Sequence, residues 1–314
     1  MQANLCELFG IKYPIFSGAM AWISDWSLAS AVTNAGGLGI ISAGAAPVDF
    51  VREQIRRTKE QVGDKPFGVN IMLLSPTCDE IAQLVVEEGV PLLTTGAGMP
   101  KYMDMWNAAG IKVVPVVPSV AIARRVERMG AAAVVAEGGE SGGHVGDTTT
   151  MALVPQVADA INIPVLAAGG IADGRGIAAA YMLGASGVQV GTRFLVASEC
   201  TVHPTYKKKI LAANDIATMT TGNTMGHPVR ALRTAFARQF LKNETDTSMT
   251  LEEKEAFGAG ALRKAAQDGN EKEGSFMAGQ IAGLVSCEQS AREIIVEMFD
   301  QCNHILKGAN QWVK

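Results

Sequence analysis

The stretch Pro164-Val-Leu-Ala-Ala-Gly-Gly-Ile-Ala-Asp173 decides the fold. A short apolar run meets two glycines, and an aspartate then stands where a helix can begin, its carboxylate able to cap the first N–H groups. The run shows no polar alternation, as expected of a parallel strand covered on both faces. Strand, tight turn and capped helix make one βα unit. Working outward, the unit recurs. Eight such runs can be counted: Pro14–Gly18, Leu38–Ser42, Phe67–Ile71, Leu92–Thr95, Lys112–Val117, Ala133–Ala136, Pro164–Ala168 and Gly187–Val190. They begin roughly 20 to 32 residues apart, close to the roughly 30 residues of a βαβ unit. Helix signals lie between them at Asp25–Ala35, Pro47–Lys59, Ser119–Met129 and Asp173–Leu183. The expectation is an α/β fold, a (β/α)8 TIM barrel; a doubly wound open sheet is the alternative.

The rhythm breaks after Glu199. From Lys207 to Lys242 there are seven Lys/Arg against one acid, Asp215, with helical spacing and no strand run. Gly274-Ser-Phe-Met-Ala-Gly-Gln-Ile-Ala-Gly-Leu-Val285 then returns to small and apolar residues. The predicted organisation is a barrel over residues 1–200, a small inserted helical lobe over 201–272 and a return to the barrel over 273–314. A last helix is predicted from a capping box at Ser286-Cys-Glu-Gln289 to Gly308, with Ile294, Ile295, Met298, Cys302 and Ile305 on one side.

Composition narrows the function. The 314 residues carry 27 Lys+Arg and 31 Asp+Glu, a net charge of −4, which argues against a general nucleic-acid binder. Mean hydropathy is +0.16, yet every apolar run is broken before the roughly 18 to 20 residues of a spanning helix, so no membrane role is expected. Met1-Gln-Ala-Asn-Leu-Cys-Glu7 lacks the basic flank and apolar stretch of a signal peptide, and the expected location is cytoplasmic. The 5 cysteines are scattered and odd in number, so reduced and mostly buried thiols are expected. No Cys-x-x-Cys and no His-Glu-x-x-His occurs, and no metal site is predicted.

In such a barrel the site lies at the strands' C-terminal ends, with phosphate commonly held after the seventh and eighth. The seventh run ends in Ala168, Gly169 and Gly170, and the eighth in Gly191 and Thr192. Glycines let backbone N–H groups approach a phosphate. Taken singly, either turn could serve geometry alone; as a pair they suggest a phosphate gripper. No Rossmann or P-loop fingerprint is present. Pyridoxal phosphate needs a lysine at a strand's C-terminal end, and Lys112 starts its strand, which leaves flavin mononucleotide (FMN) as the economical cofactor.

The sixth run ends in Ala136-Glu-Gly-Gly-Glu-Ser-Gly-Gly-His-Val-Gly146. Gly139-Glu-Ser141-Gly-Gly143 formally matches a nucleophile elbow, but the loop continues to Thr149 where that motif requires a helix. The better use is flexible backbone, including Gly142 and Gly143, beside a planar cofactor, with His144 titrating near neutrality. Glu137 and Glu140 could be solvated loop acids, or Glu137, directly after the strand, could hydrogen-bond cofactor hydroxyls. Gly18, Ala19 and Met20 leave the first strand, where packing competes with cofactor contact for Met20. Asn70 ends the third with an amide suited to a flavin edge, and its burial without a partner would cost about 1 to 3 kcal/mol.

These residues also carry a resemblance. Pro14-Ile-Phe16 with Gly18-Ala-Met20, Ala35-Gly-Gly-Leu-Gly39, Gly68-Val-Asn70, Thr94-Thr-Gly-Ala-Gly98, Glu140-Ser-Gly-Gly-His144, Ala167-Ala-Gly-Gly-Ile171 and Gln189-Val-Gly-Thr-Arg-Phe194 together resemble the nitronate monooxygenase and FMN-dependent enoyl-acyl carrier protein reductase II superfamily. Asn70-Ile-Met-Leu-Leu-Ser-Pro76, His203-Pro-Thr-Tyr-Lys207, Gly226-His-Pro-Val-Arg230 and Gly274–Val285 look like its enoyl reductase (FabK) branch.

The resemblance implies an FMN barrel, NADH or NADPH as cosubstrate, an enoyl chain on acyl carrier protein as partner, sensitivity to a monovalent cation with no assignable site, and a homodimer. It implies His144 as the active-site histidine, for substrate positioning or α-carbon protonation. Gly169, Gly170, Gly191 and Thr192 become phosphate contacts, and Met20, Asn70, Glu137, Met277 and Gln280 border the flavin. Ser141 stands where the family commonly has alanine. Lys207, Lys208, Lys209, Arg230, Arg233, Arg238 and Lys242 could steer an acidic carrier, or form an ordinary solvated face. Nitronate oxidation is the nearest competing activity, and a non-catalytic flavin or phosphate binder the competing class.

Overall fold

The computed structural model describes residues 4–312. All eight predicted runs are strands: β1 (Ile15–Ser17), β2 (Ile40–Ser42), β3 (Gly68–Met72), β4 (Leu92–Gly96), β5 (Lys112–Val117), β6 (Val134–Glu137), and, after the two-residue β7 (Gly143–His144), β8 (Val165–Ala168) and β9 (Gly187–Val190). They lie parallel in the order β1-β9-β8-β6-β5-β4-β3-β2. The ends of that order meet at the bridge between Phe16 and Leu38. There Leu38 N donates to Ile15 O at 2.9 Å and Ser17 N to Leu38 O at 3.0 Å. The sheet therefore closes into a barrel, and the open-sheet alternative fails.

Side chains fill the barrel. Phe16, Ile40, Leu92, Val114, Val135 and Leu166 are buried inside it. A short helix, Leu5–Phe9, plugs the bottom, with Phe9 edge-on to Phe16 at 5.4 Å between centroids. Burying each such aromatic is worth about 1.5 to 3 kcal/mol. The Lys112 ammonium donates to the Leu8 carbonyl at this bottom face. It therefore sits away from the mouth, as its position at a strand start implies.

The outer helices begin where their caps place them. Asp25 accepts from Ser27 N and Leu28 N at 3.0 and 3.1 Å and opens Trp26–Asn34. The last helix spans Ala291–Gly308, and its capping box is Ser290 with Glu293, four residues later than expected. The reason is a competing pairing: Gln289 bridges to Ala197 and accepts from Ser198 N at 2.9 Å, which holds that segment extended. Ile294, Ile295, Met298 and Cys302 are buried as predicted, while Ile305 is half-buried.

After β9, the segment expected to form a lobe holds helices Pro204–Leu211, Ala235–Thr245, Leu251–Gly258 and Ala261–Asp268, of which Tyr206, Ile210, Ala265 and Ala266 pack into the barrel's own core. Phe236, Phe257 and Phe240 give it an aromatic cluster of its own, the first two stacked at 5.1 Å. The lobe also holds an antiparallel hairpin, β10 (Thr218–Thr221) and β11 (Val229–Leu232), where no strand run was expected. β11 pairs in turn with β7, and so stitches the lobe to the sixth barrel loop. All five cysteines are free thiols, with Cys78, Cys200 and Cys302 buried and Cys287 exposed. Among the described residues no helix is long and apolar enough to cross a membrane.

Candidate active site

The C-terminal ends of the strands converge on one mouth. β8 runs into Gly169 and Gly170, at φ +89° and +75°, values that glycine adopts without strain. Asp173 then caps the helix Gly174–Met182. β9 runs into Gly191 and the one-turn 3-10 helix Thr192–Val196. Among the described residues, the backbone N–H groups of Gly169, Gly170, Gly191 and Thr192 have no acceptor. Unpaired amides at adjacent strand ends form a natural anion cradle.

Glu137 closes β6 and is half-buried. Burial pushes its carboxyl up to about 7, with the nearby Ser141 hydroxyl pulling the other way. That hydroxyl is buried and makes no hydrogen bond of good geometry among the described residues. β7 rather than a helix follows Ser141, so the nucleophile elbow is absent. Glu140 serves the frame. Its carboxylate accepts from Thr150 N at 2.9 Å and Thr150 Oγ1 at 2.8 Å, at the start of the helix Thr150–Ala160. The same hydroxyl lies 3.1 Å from Ala168 O and 3.0 Å from Gly169 O, so Thr150 ties the sixth loop to the Gly169–Gly170 turn. Sequence reasoning missed Thr150; its place at the start of a helix, where the glycine-rich loop ends, was the available signal.

His144 is exposed and lies in β7, not in a free loop, opposite Val229 of β11. Crowding by the surrounding chain and the neighbouring His227 lower its pKa from 6.5. The imidazole is therefore neutral at pH 7.

Gly18 approaches the turn after β9 closely: a Cβ there would stand 3.0 Å from Gly191 Cα. Ala19 and Met20 are half-buried, and Ser24 Oγ, accepting from Met20 N at 3.0 Å and donating to Gly18 O at 3.1 Å, fixes their turn. Asn70 has the partner its burial demands, since Nδ2 donates to Thr94 Oγ1 at 2.9 Å. Its Oδ1 has no donor among the described residues.

The returning segment crosses this mouth. Tyr206 donates to Met277 O at 2.6 Å, Gly279 N to Thr192 Oγ1 at 2.9 Å, and Gln280 N to Glu140 O at 2.9 Å. A Cβ on Gly142 would meet Ala278 C at 2.6 Å, and one on Gly143 would lie 3.7 Å from Met277 Sδ. The structure thus brings together Gly18, Met20, Gly191 and Thr192 on one side, and Gly142, Gly143, His144, Met277 and Gln280 on the other.

These residues fit FMN. Four unpaired amides suit a phosphate, the buried Ser141 hydroxyl beside the Glu137 carboxyl suits ribityl-type hydroxyls, and Asn70 Oδ1 is free to accept from a ring N–H. A model of the nitronate monooxygenase family matches residues 2–301. The chain belongs to the nitronate monooxygenase family.

This is the superfamily its motifs resemble, a class of FMN-dependent oxidoreductases. Family relatives differ in name. The (3aS,4S,5R,7aS)-5-hydroxy-7a-methyl-1-oxo-octahydro-1H-indene-4-carboxyl-CoA dehydrogenase of Mycobacterium tuberculosis is 40% identical over 74% of this chain and 67% of its own length. The chain therefore spans about two thirds of that relative. A probable nitronate monooxygenase of Staphylococcus saprophyticus is 32% identical over 98% of this chain and 99% of its own. Among solved structures, FabK from Thermotoga maritima is 46% identical and superposes with a TM-score of 0.96, covering 100% of both chains.

Proposed function

We propose that this protein is an enoyl reductase acting on trans-2-enoyl thioesters carried by acyl carrier protein, with NADH or NADPH as reductant. One observation carries this reading: the likeness to FabK runs through the entire chain, lobe included, at 46% identity. The family's Mycobacterium tuberculosis dehydrogenase is itself named for a carboxyl-CoA thioester.

In this reading Gly169, Gly170, Gly191 and Thr192 hold the FMN phosphate through their amides, while Glu137, Ser141 and Asn70 take its hydroxyls and ring edge. The chemistry FMN supplies when bound is a two-electron relay from the reduced nicotinamide to the thioester β-carbon. The chain supplies the rest. Met20 and Met277 give the mouth soft apolar walls that exclude water. His144, neutral at pH 7, orients the thioester by donating a ring N–H to its carbonyl oxygen, and the α-carbon takes its proton from water.

The test is the visible spectrum of the purified protein, followed by anaerobic reduction with NADH and NADPH and reoxidation with crotonyl thioester. Bleaching by nicotinamide and recovery by the thioester are expected. A second reading, nitronate oxidation, has the 32% identical Staphylococcus saprophyticus relative in its favour. Flavin reduced by a nitronate but untouched by nicotinamide would select it.

A further inference from the structure

Behind the turn that holds Gly18 and Met20 lies a cavity of about 270 Å³ between the β1 and β2 loops and the lobe helix Ala261–Asp268. Trp22, Ser24, Asp25, Thr201 and Gln267 line it, together with Phe50. Its volume falls just below that of ordinary ligand pockets, about 300 to 1,000 Å³, and suits one heteroaromatic ring system rather than a whole dinucleotide.

The walls are unusual for an incidental gap. Trp22 is one of two non-glycine residues at positive φ among the described residues, at +63°, a conformation that costs about 1 to 2 kcal/mol. Its indole is braced, because the Arg263 guanidinium lies 4.6 Å from the ring centroid, yet Arg263 is not part of the cavity lining. The cation therefore covers the ring from outside and leaves the indole as a fixed wall. Phe50 lines the same space and is 44% exposed, an aromatic ring without apolar cover.

The polar groups are partly committed. Asp25 is spent on Ser27 N, Leu28 N and the Thr201 hydroxyl. Gln267 Oε1 accepts from Arg263 Nε at 2.8 Å, which leaves the amide N–H groups to donate. A ring with nitrogen acceptors on its edge, stacked on an indole, matches that set. Ser24 connects cavity and cofactor turn, since its hydroxyl binds both Gly18 O and Met20 N.

We propose that this cavity seats the adenine of the dinucleotide cosubstrate, stacked on Trp22, while the nicotinamide end reaches the mouth past Met20. The inference rests on the reductase reading given above.

The test is anaerobic flavin reduction by the holoenzyme and by Gln267→Trp. Gln267 is exposed, so the larger side chain fills the cavity entrance without entering the core. The apparent Kd for NADH or NADPH should rise about ten-fold or more, the loss of one stacked base. The limiting reduction rate should not change, and reduced nicotinamide mononucleotide, which lacks adenosine, should react identically with both proteins. An unchanged dinucleotide Kd, or an equal loss with the mononucleotide, would overturn the proposal. If no nicotinamide bleaches the wild-type flavin, the reductase reading fails, and calorimetric titration with AMP decides the cavity separately. AMP binding abolished by Gln267→Trp keeps an adenine site there; wild-type protein that takes up no AMP removes it.

Discussion

The Arg230 guanidinium donates twice to the Gly139 carbonyl, at 3.0 and 3.2 Å. One residue belongs to the lobe and the other to the sixth barrel loop, and the next pair along, Val229 with His144, continues the contact as a strand ladder. The lobe is thus part of what positions the candidate catalytic histidine. Arg230→Ala should lower kcat about ten-fold or more, since hydrogen bonds from charged donors are worth about 1.5 to 3 kcal/mol. Arg230→Lys should restore part of it. Hydrogen exchange over residues 138–145 should quicken in the alanine variant; unchanged exchange would show that the loop holds itself.

Gly142 tests the cofactor mouth. A methyl group there would press on the Ala278 carbonyl carbon and Gly279 nitrogen, at 2.6 and 2.7 Å, and backbone atoms cannot rotate away. Gly142→Ala should displace the Met277–Gln280 segment and weaken FMN retention about ten-fold or more, with overpacking costs of about 1 to 3 kcal/mol. Flavin fluorescence after dialysis reads the outcome. Full retention would place this segment outside the cofactor site.

For His144, the lowered pKa fixes the sign of the pH dependence. The ring becomes cationic only below its ordinary value of 6.5, so any break in kcat/KM from this group lies on the acid side. His144→Gln should abolish that limb, and His144→Ala should lower kcat about ten-fold, the loss of one orienting hydrogen bond. Turnover unaffected by both changes would leave the histidine bracing its strand and favour a non-catalytic role.

The barrel was legible because its chemistry is local. Val113-Val-Pro-Val-Val117 has no polar face to expose, and Gly169-Gly170 must turn before Asp173 can cap, so strand, turn and helix follow from adjacent residues. What escaped depends on distant partners. Val229-Arg-Ala-Leu232 has no apolar alternation and becomes a strand only because Gly143 and His144 supply an edge. Ser286 lost the cap to Ser290 because Ala197 claims the intervening backbone. Thr150 reaches three acceptors that meet only after the barrel closes. The turns at the strand ends were therefore readable, and the side chains that brace them were not.

The basic face of the lobe divides once its partners are seen. Lys207 is held by Ala197 O and Glu288, Lys209 by Glu271, Arg230 by Gly139 O, and Arg233 by Thr218 O. Lys208, Arg238 and Lys242 are exposed with no acceptor among the described residues. If an acidic carrier docks here, charge reversal at these three should raise KM for carrier-bound substrate several-fold, less so at high salt, through slower association. KM for a small thioester analogue should stay constant. Equal effects on both substrates would assign the face to solvation alone.

Glu137 offers a stability measurement independent of turnover. Its carboxyl titrates in the folded protein at about 7, against 4.5 for the unconstrained group, because burial penalises the charge. The folded pKa is raised, so the stability this group contributes is fully present below pH 4.5 and is lost as pH rises through about 7. A shift of that size corresponds to at most about 3 kcal/mol, and partial exposure of the side chain reduces it to about 1 to 2 kcal/mol. Flavin-free Glu137→Gln should therefore melt several degrees above wild type near pH 8 and together with it near pH 4.5. Scanning calorimetry across that range decides. A gain of equal size at both ends would mean that glutamine merely packs better, and no gain at the alkaline end would show that the carboxylate keeps its water.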